Sequence, residues 1–203
     1  MNSEIKTPVM IYTEQTPNPE SLKFVMNRML FKGTADFQDR VVAIEWSPLA
    51  ASLFELPYVN GVYISNNFVT ITKAFNYKWE EVMSLLKTHI KDYVESDRPL
   101  IREGYQAYVN AIKAQDSDSE DYSKEDEEIV GRIKELLDTY VRPAVEMDGG
   151  NISFKGYRQG VVSVELQGSC SGCPSSTITL KNGIEGMLKR MIPEITEVIA
   201  TNG

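Results

Sequence analysis

Residues 147–174 read MDGGNISFKGYRQGVVSVELQGSCSGCP, and the periodicity within this stretch decides the fold around it. Asp148-Gly149-Gly150 breaks whatever helix precedes it. Ile152 and Phe154 then alternate with Ser153 and Lys155, which predicts a strand with one buried face. Arg158-Gln159-Gly160 turns the chain, and Val162, Val164 and Leu166 alternate with Ser163, Glu165 and Gln167 in a partner strand. Beyond the cysteine loop, Leu180, Ile184, Met187, Leu188 and Met191 recur at helical spacing. Pro193 ends that helix, and Ile195 to Ala200 can form a third strand. Upstream, Ser123 is placed to cap a helix with its acids in the first turn and a stripe of Ile129, Ile133, Leu136, Leu137 and Tyr140. The order α-β-β-α-β predicts one short sheet with helices packed on one face over residues 123–203. A domain of this size has little core to stabilise it, so a partner or a metal is expected to help.

The acidic run Gln115 to Glu128, QDSDSEDYSKEDEE, precedes this unit and holds eight acids and one Lys, a net −7 of the chain's −8. Such a block repels itself and has little to bury, so it reads as a solvated linker entering a helix rather than an acidic docking tail. Residues 98–122 are taken as a helical and acidic linker, and residues 1–97 as a first domain. There, Val9 to Tyr12 and Leu22 to Val25 look like strands separated by Thr16-Pro17-Asn18-Pro19. Ser47-Pro48 starts a helix that stops before Pro57. Val59 to Ile64 and Phe68 to Thr72 flank Asn66-Asn67 as a hairpin. Trp79, Val82, Leu86, Ile90 and Tyr93 form a helical stripe, and His89 beside it reads as a packing residue with no second His to share a metal. The expected class is α+β: two small domains, each a short sheet with helices on one face.

The net charge argues against a nucleic-acid binder, whose affinity rests on Lys and Arg at phosphates. No run approaches the ~18 apolar residues of a membrane span. The first twenty residues resemble neither a secretory signal nor an Arg-rich transit peptide, which leads to the expectation of a cytoplasmic protein.

With two Cys and one His in the chain, chemistry concentrates at Cys170-Ser171-Gly172-Cys173. Cys173 lies at a helix start marked by Pro174, where backbone N–H groups and the helix dipole lower a thiol pKa. Gly168 and Gly172 let the backbone fold tightly around whatever the sulfurs hold. The Gly/Ser-rich loop is expected to be exposed and both thiols reactive. Three readings stay open on spacing alone: a disulfide redox centre, half of a tetrathiolate site completed by a second chain, and two small apolar residues in a turn. A tetrathiolate site accepts zinc or an iron–sulfur cluster.

Arg142-Pro143-Ala144-Val145, Asp148-Gly149-Gly150, Leu166 to Ser176 and Thr179 to Glu185 closely resemble the C-terminal domain of NifU-like (Nfu-type) iron–sulfur cluster scaffold and carrier proteins. Thr16 to Pro19, Leu22 to Phe24, Gly33 to Phe37, Ser47 to Ala50 and Phe68 to Lys73 are similar to the N-terminal Nfu domain. Asn151 stands where the family usually has Asp. The resemblance implies a non-enzymatic carrier whose Cys170 and Cys173 ligate a cluster shared between two chains, [4Fe–4S] before [2Fe–2S]. It further implies a homodimer on loading, cluster donors upstream and apo iron–sulfur proteins downstream. A thiol–disulfide oxidoreductase is the alternative.

Overall fold

The structure is a computed structural model that describes residues 7–116, 122–171 and 174–202. Its first half is a five-stranded antiparallel sheet in the order β1-β2-β5-β4-β3, built from β1 (Ile11–Gln15), β2 (Ser21–Met26), β3 (Phe31–Phe37), β4 (Val59–Asn66) and β5 (Phe68–Lys73). The expected hairpin is β4–β5, and Asn66 takes φ 45 at its tip, a conformation that Asn tolerates better than most residues. Ser47 caps α2 (Pro48–Leu53) by accepting from the Ala50 amide. Helix α3 (Trp79–Glu95) buries Val82, Leu86, Ile90 and Tyr93, as its stripe requires. His89 is half-buried, its Nε2 2.9 Å from the Ser52 hydroxyl, in a packing role.

Two elements have no counterpart in the sequence reading: strand β3 and helix α1 (Arg40–Trp46). In β3 the run FKGTADF carries Gly and Asp where strand formers are expected. In α1 the large apolar side chains Val41 and Ile44 face outward, and only Ala43 is buried. Leu100, Ile101, Tyr105 and Tyr108, in the stretch read as linker, pack against the first core, the last two from helix α4 (Tyr105–Asp116).

The second half follows the expected α-β-β-α-β order. Helix α5 (Lys124–Leu136) starts at Ser123, which accepts from the Asp126 amide. One π-helical turn, Leu137–Val141, joins it to α6 (Arg142–Met147). Pro143 has no N–H to donate, which disrupts regular α-helical bonding just there. The wider turn rotates the stripe, so Val141 and Val145 enter the core while Tyr140 is left exposed, contrary to its expected place. Strands β6 (Gly150–Arg158) and β7 (Val161–Gly168) pair antiparallel around Gln159-Gly160, both at positive φ, and β8 (Glu197–Asn202) runs parallel to β7. Helix α7 (Pro174–Met191) makes the crossover that a parallel pair needs.

The two sheets are buried differently. In β7 buried and half-buried residues alternate strictly, the pattern of a one-sided sheet. In β2 every residue is buried. Leu22, Phe24 and Met26 belong to the core beneath the helices, and the intervening Ser21, Lys23 and Val25 lie on the opposite face, from which Lys23 reaches the second half of the chain.

Candidate functional site around Cys170

Strand β7 ends at Gly168, whose φ of +66 turns the chain sharply into Ser169-Cys170-Ser171. Three local bonds fix this turn. The Ser171 amide and hydroxyl both donate to the Gly168 carbonyl, at 3.1 and 2.8 Å, and the Ser169 amide donates to the Gly149 carbonyl at 3.2 Å. The Ser169 hydroxyl also reaches the Asp148 carbonyl, and Thr177 at the start of α7 donates to the Cys170 carbonyl at 3.2 Å. Every backbone group so tied is one that burial would otherwise leave unsatisfied.

Asp148-Gly149-Gly150, read from the sequence as a helix breaker and as part of the family resemblance, is the wall of the site. A Cβ on Gly150 would lie 2.5 Å from the Gln167 carbonyl oxygen and 3.0 Å from Cys170 Sγ. The sulfur therefore rests against glycine backbone where no side chain fits. Paired glycines before a strand were the available signal, since a breaker needs only one.

Cys170 is 7% exposed, so the expectation of an exposed, reactive thiol fails for it. Burial pushes its thiol up to about 11, an effect reinforced by the nearby Asp148 and opposed by the Ser169 hydroxyl. Two things account for the error: the Cys170 side chain packs into the core of its own half of the chain, and residues more than a hundred positions away bond the backbone of the turn. Cys173, its expected partner, lies outside the described residues. Among the described residues no group of three His, Cys, Asp or Glu side chains is placed to hold a metal ion.

The cover is the outer face of the first sheet. Asn18, 1% exposed, donates to the Ser169 carbonyl at 3.1 Å. Asp36 accepts from the Gly168 amide at 3.0 Å, and Thr70 donates to the Gly149 carbonyl at 2.9 Å. The buried Lys23 reaches the Met147 carbonyl at 3.1 Å while paired with Glu14 and set over the Phe68 ring. Tyr63 lies against Gly168, with its phenol 3.4 Å from the Gly150 carbonyl. Burial raises the Asp36 carboxyl to about 6, with Glu165 adding to the rise and the Gly168 and Gln38 donors opposing it.

Residues 133–199 match the family model "NifU-like domain", and residues 11–97 match "Scaffold protein Nfu/NifU N terminal". The human protein "NFU1 iron-sulfur cluster scaffold homolog, mitochondrial" is 41% identical over 192 residues, which is 94% of this chain and 71% of that protein. The chain belongs to the Nfu scaffold family. Its Drosophila sechellia relative of the same name is 41% identical over 96% of this chain and 68% of its own length. A solution structure of the NifU-like protein from Saccharomyces cerevisiae covers 51% of this chain and 91% of its own, at 24% identity and a TM-score of 0.44. For this Nfu-family chain the expectation of a cytoplasmic location is overturned, because these relatives are named mitochondrial. That expectation rested on the charge and hydropathy of twenty residues, and the physical chemistry of the folded domains does not distinguish the two compartments.

No described helix is long and apolar enough to cross a membrane.

Proposed function

We propose that this chain is a mitochondrial, non-enzymatic carrier that holds an iron–sulfur cluster as cargo, with Cys170 and Cys173 as its ligands. On this reading residues 123–203 bear the cluster and residues 1–97 govern access to it, with residues 98–122 between them. The observation that carries the reading is the turn at Cys170. A sulfur lodged against Gly150, in a turn tied by its own amides, is a ligand position built by backbone. The chain has two Cys in all, so a cluster wanting about four ligands draws two from each of two chains, preferentially as [4Fe–4S].

Each thiol gives up its proton on ligation, as thiolate ligands must. Delivery is thiolate exchange: acceptor thiolates replace the donor's one at a time, with no net electron transfer. Sharing between two chains suits release, because separating them removes half of the ligands together. Donor scaffolds upstream and apo iron–sulfur proteins downstream are the partners. The burial of Cys170 and its raised pKa weigh against a thiol–disulfide oxidoreductase, whose attacking sulfur is an accessible thiolate.

The test is anaerobic reconstitution with ferrous iron and sulfide, followed by size exclusion with iron, sulfide and visible absorbance read across the elution. The expected result is one cluster per two chains at the dimer position, lost in Cys170→Ser and in Cys173→Ser. A cluster fully occupied on a monomer overturns the sharing. Equal loading of the Cys170→Ser protein overturns the ligand assignment.

A further inference from the structure

The contacts around Cys170 are more than structural support, because they come from the wrong place. The turn from Gly168 to Ser171 is already tied within its own half of the chain through Ser169, Ser171 and Thr177. Yet residues from the first sheet and its β1–β2 turn reach across to the same turn and its glycine wall: Asn18, Asp36, Thr70, Lys23 and Tyr63. Gln38 adds a sixth, its amide 3.4 Å from the Ser171 hydroxyl. Almost all of them address backbone atoms that flank the sulfur on both sides.

This sheet face is unusual in what it buries. Ser21, Lys23, Ser65 and Thr70 are all less than a tenth exposed, although a face turned to solvent would leave them free. The apolar part is small, a cluster of Val25, Tyr63 and Phe68. A permanent junction between domains is usually large and apolar, whereas a polar one of modest size permits relative motion. Here Asn18 and Asp36 meet one carbonyl and one amide of the cysteine turn, and Lys23 and Thr70 meet the Met147 and Gly149 carbonyls beside it, which has the character of a reversible seat.

Sharing a cluster with a second chain demands the opposite arrangement. The sulfurs must point outward to meet another copy's sulfurs across a few ångströms. With Tyr63 on Gly168 and Cys170 7% exposed, a second chain has no approach to this sulfur.

We propose that the outer face of the first sheet is a cover for the cysteine turn: it seats on Gly149-Gly150 and Gly168 to Ser171 in the metal-free chain and lifts when a cluster is taken up between two chains. The occupant of this face is the chain's own cysteine turn. The proposal rests on the reading of Cys170 as a cluster ligand, but the closure itself is testable without any cluster. Its consequence is protection: the free thiol is shielded from oxidants and from stray metal until a donor presents cargo.

The test uses the full-length, reduced, metal-free chain and follows modification of Cys170 by N-ethylmaleimide with site-resolved mass spectrometry. In the native protein Cys170 should react at least a hundredfold more slowly than in denaturant. The pair Asn18→Ala and Asp36→Ala removes two of the bonds to the turn and should raise the Cys170 rate at least tenfold, with circular dichroism unchanged. Should that protein fail to fold, Lys23→Met with Gln38→Ala loosens the same seat from other positions and should raise the rate several-fold. Equal rates in native and folded variant proteins overturn the cover, as does a native Cys170 that reacts as fast as in denaturant. Reconstitution run in parallel separates the two ideas. Faster modification of the variants with no cluster bound by any of them upholds the cover and removes the carrier reading. Loading with modification rates unaltered by the variants removes the cover alone.

Discussion

Strands β2 and β7 are each central to their sheets, but their sequences advertise burial differently. In β7, VVSVELQG alternates and the structure alternates with it, so the outward Ser163, Glu165 and Gln167 are only half-buried. In β2, Ser21 to Phe24 also alternate polar with apolar, yet Ser21 and Lys23 are buried like their neighbours. The lesson concerns what surrounds them. A polar side chain is stably buried when its surroundings offer bonding partners: Ser21 finds Thr72 on the neighbouring strand, and Lys23 finds Glu14 and the Met147 carbonyl. A period of two in a sequence therefore reports the chemistry of the two faces, and not which face meets water.

The strongest way to break the comparison is at the glycine wall, where both regions meet. Gly150→Ala would place a methyl 2.5 Å from the Gln167 carbonyl, a backbone atom paired within the β6–β7 hairpin that cannot swing aside. We expect a loss of about 3 kcal/mol in the second domain, at the upper end of overpacking costs, together with loss of cluster loading. Gly183→Ala, in α7 with open space around its Cβ, serves as the contrast and should gain about 0.5–1 kcal/mol. Chemical denaturation monitored by circular dichroism decides both. A Gly150→Ala protein as stable as the parent would mean that the turn does not sit against this backbone.

These glycines also mark where the sequence stops being legible. The cap at Ser47, the β4–β5 hairpin, the stripe of α3 and the whole α-β-β-α-β order can be read, because each is a local pattern of a few residues. Strand β3 and helix α1 cannot, since β3 holds Gly33 and Asp36, and α1 shows Val41 and Ile44 to solvent. Tyr140 leaves its stripe because the π turn Leu137–Val141, just before Pro143, shifts the helical phase by a residue. Both cysteines stand out by type and spacing, but the burial of Cys170 does not. Its turn is bonded by Asn18, more than a hundred and fifty positions away, and no local pattern encodes such a contact. Asp36 enters the sequence pattern only within a family resemblance, and its bond to Gly168 gives it a role that its residue type alone does not suggest.

A subtler change acts on β5, the neighbour of β2. Thr70→Val keeps the β-branched shape that suits a strand and removes only the hydroxyl that donates to the Gly149 carbonyl. The first sheet should keep its own stability. The seat on the cysteine turn should weaken by about 1 kcal/mol, the net worth of one hydrogen bond, because the Gly149 carbonyl keeps the Ser169 amide as a donor. Hydrogen exchange at Gly168 to Ser171, compared with exchange in β4, reads the two separately. Equal acceleration in both places would mean that the face is ordinary core and carries no separable seat.

The smallest effect is that of pH, acting through Asp36. Its carboxyl is raised to about 6 when seated, chiefly by burial and also by Glu165, while the Gly168 amide and the Gln38 side chain stabilise its charge. A carboxyl raised on seating binds its proton more tightly in the closed arrangement than in the open one. The closed arrangement is therefore penalised when Asp36 is ionised, above about pH 6, and the penalty is relieved as pH falls through 6 towards the ordinary value of 3.8. Taking that ordinary value for the open chain, closure should strengthen by about fourfold between pH 7.5 and 5.5. Thiol reactivity itself changes over this range, so the measurement is a ratio: Cys170 modification by a dithiodipyridine, which reacts at acid pH, in the native chain over that in Asp36→Asn. The intrinsic chemistry of the thiol cancels in this ratio, and the side-chain amide of the variant does not titrate. The ratio should fall about fourfold on acidification. A flat ratio would mean that Asp36 keeps one protonation state across the range or does not bear on closure, and a rising ratio would reverse the sign of the argument.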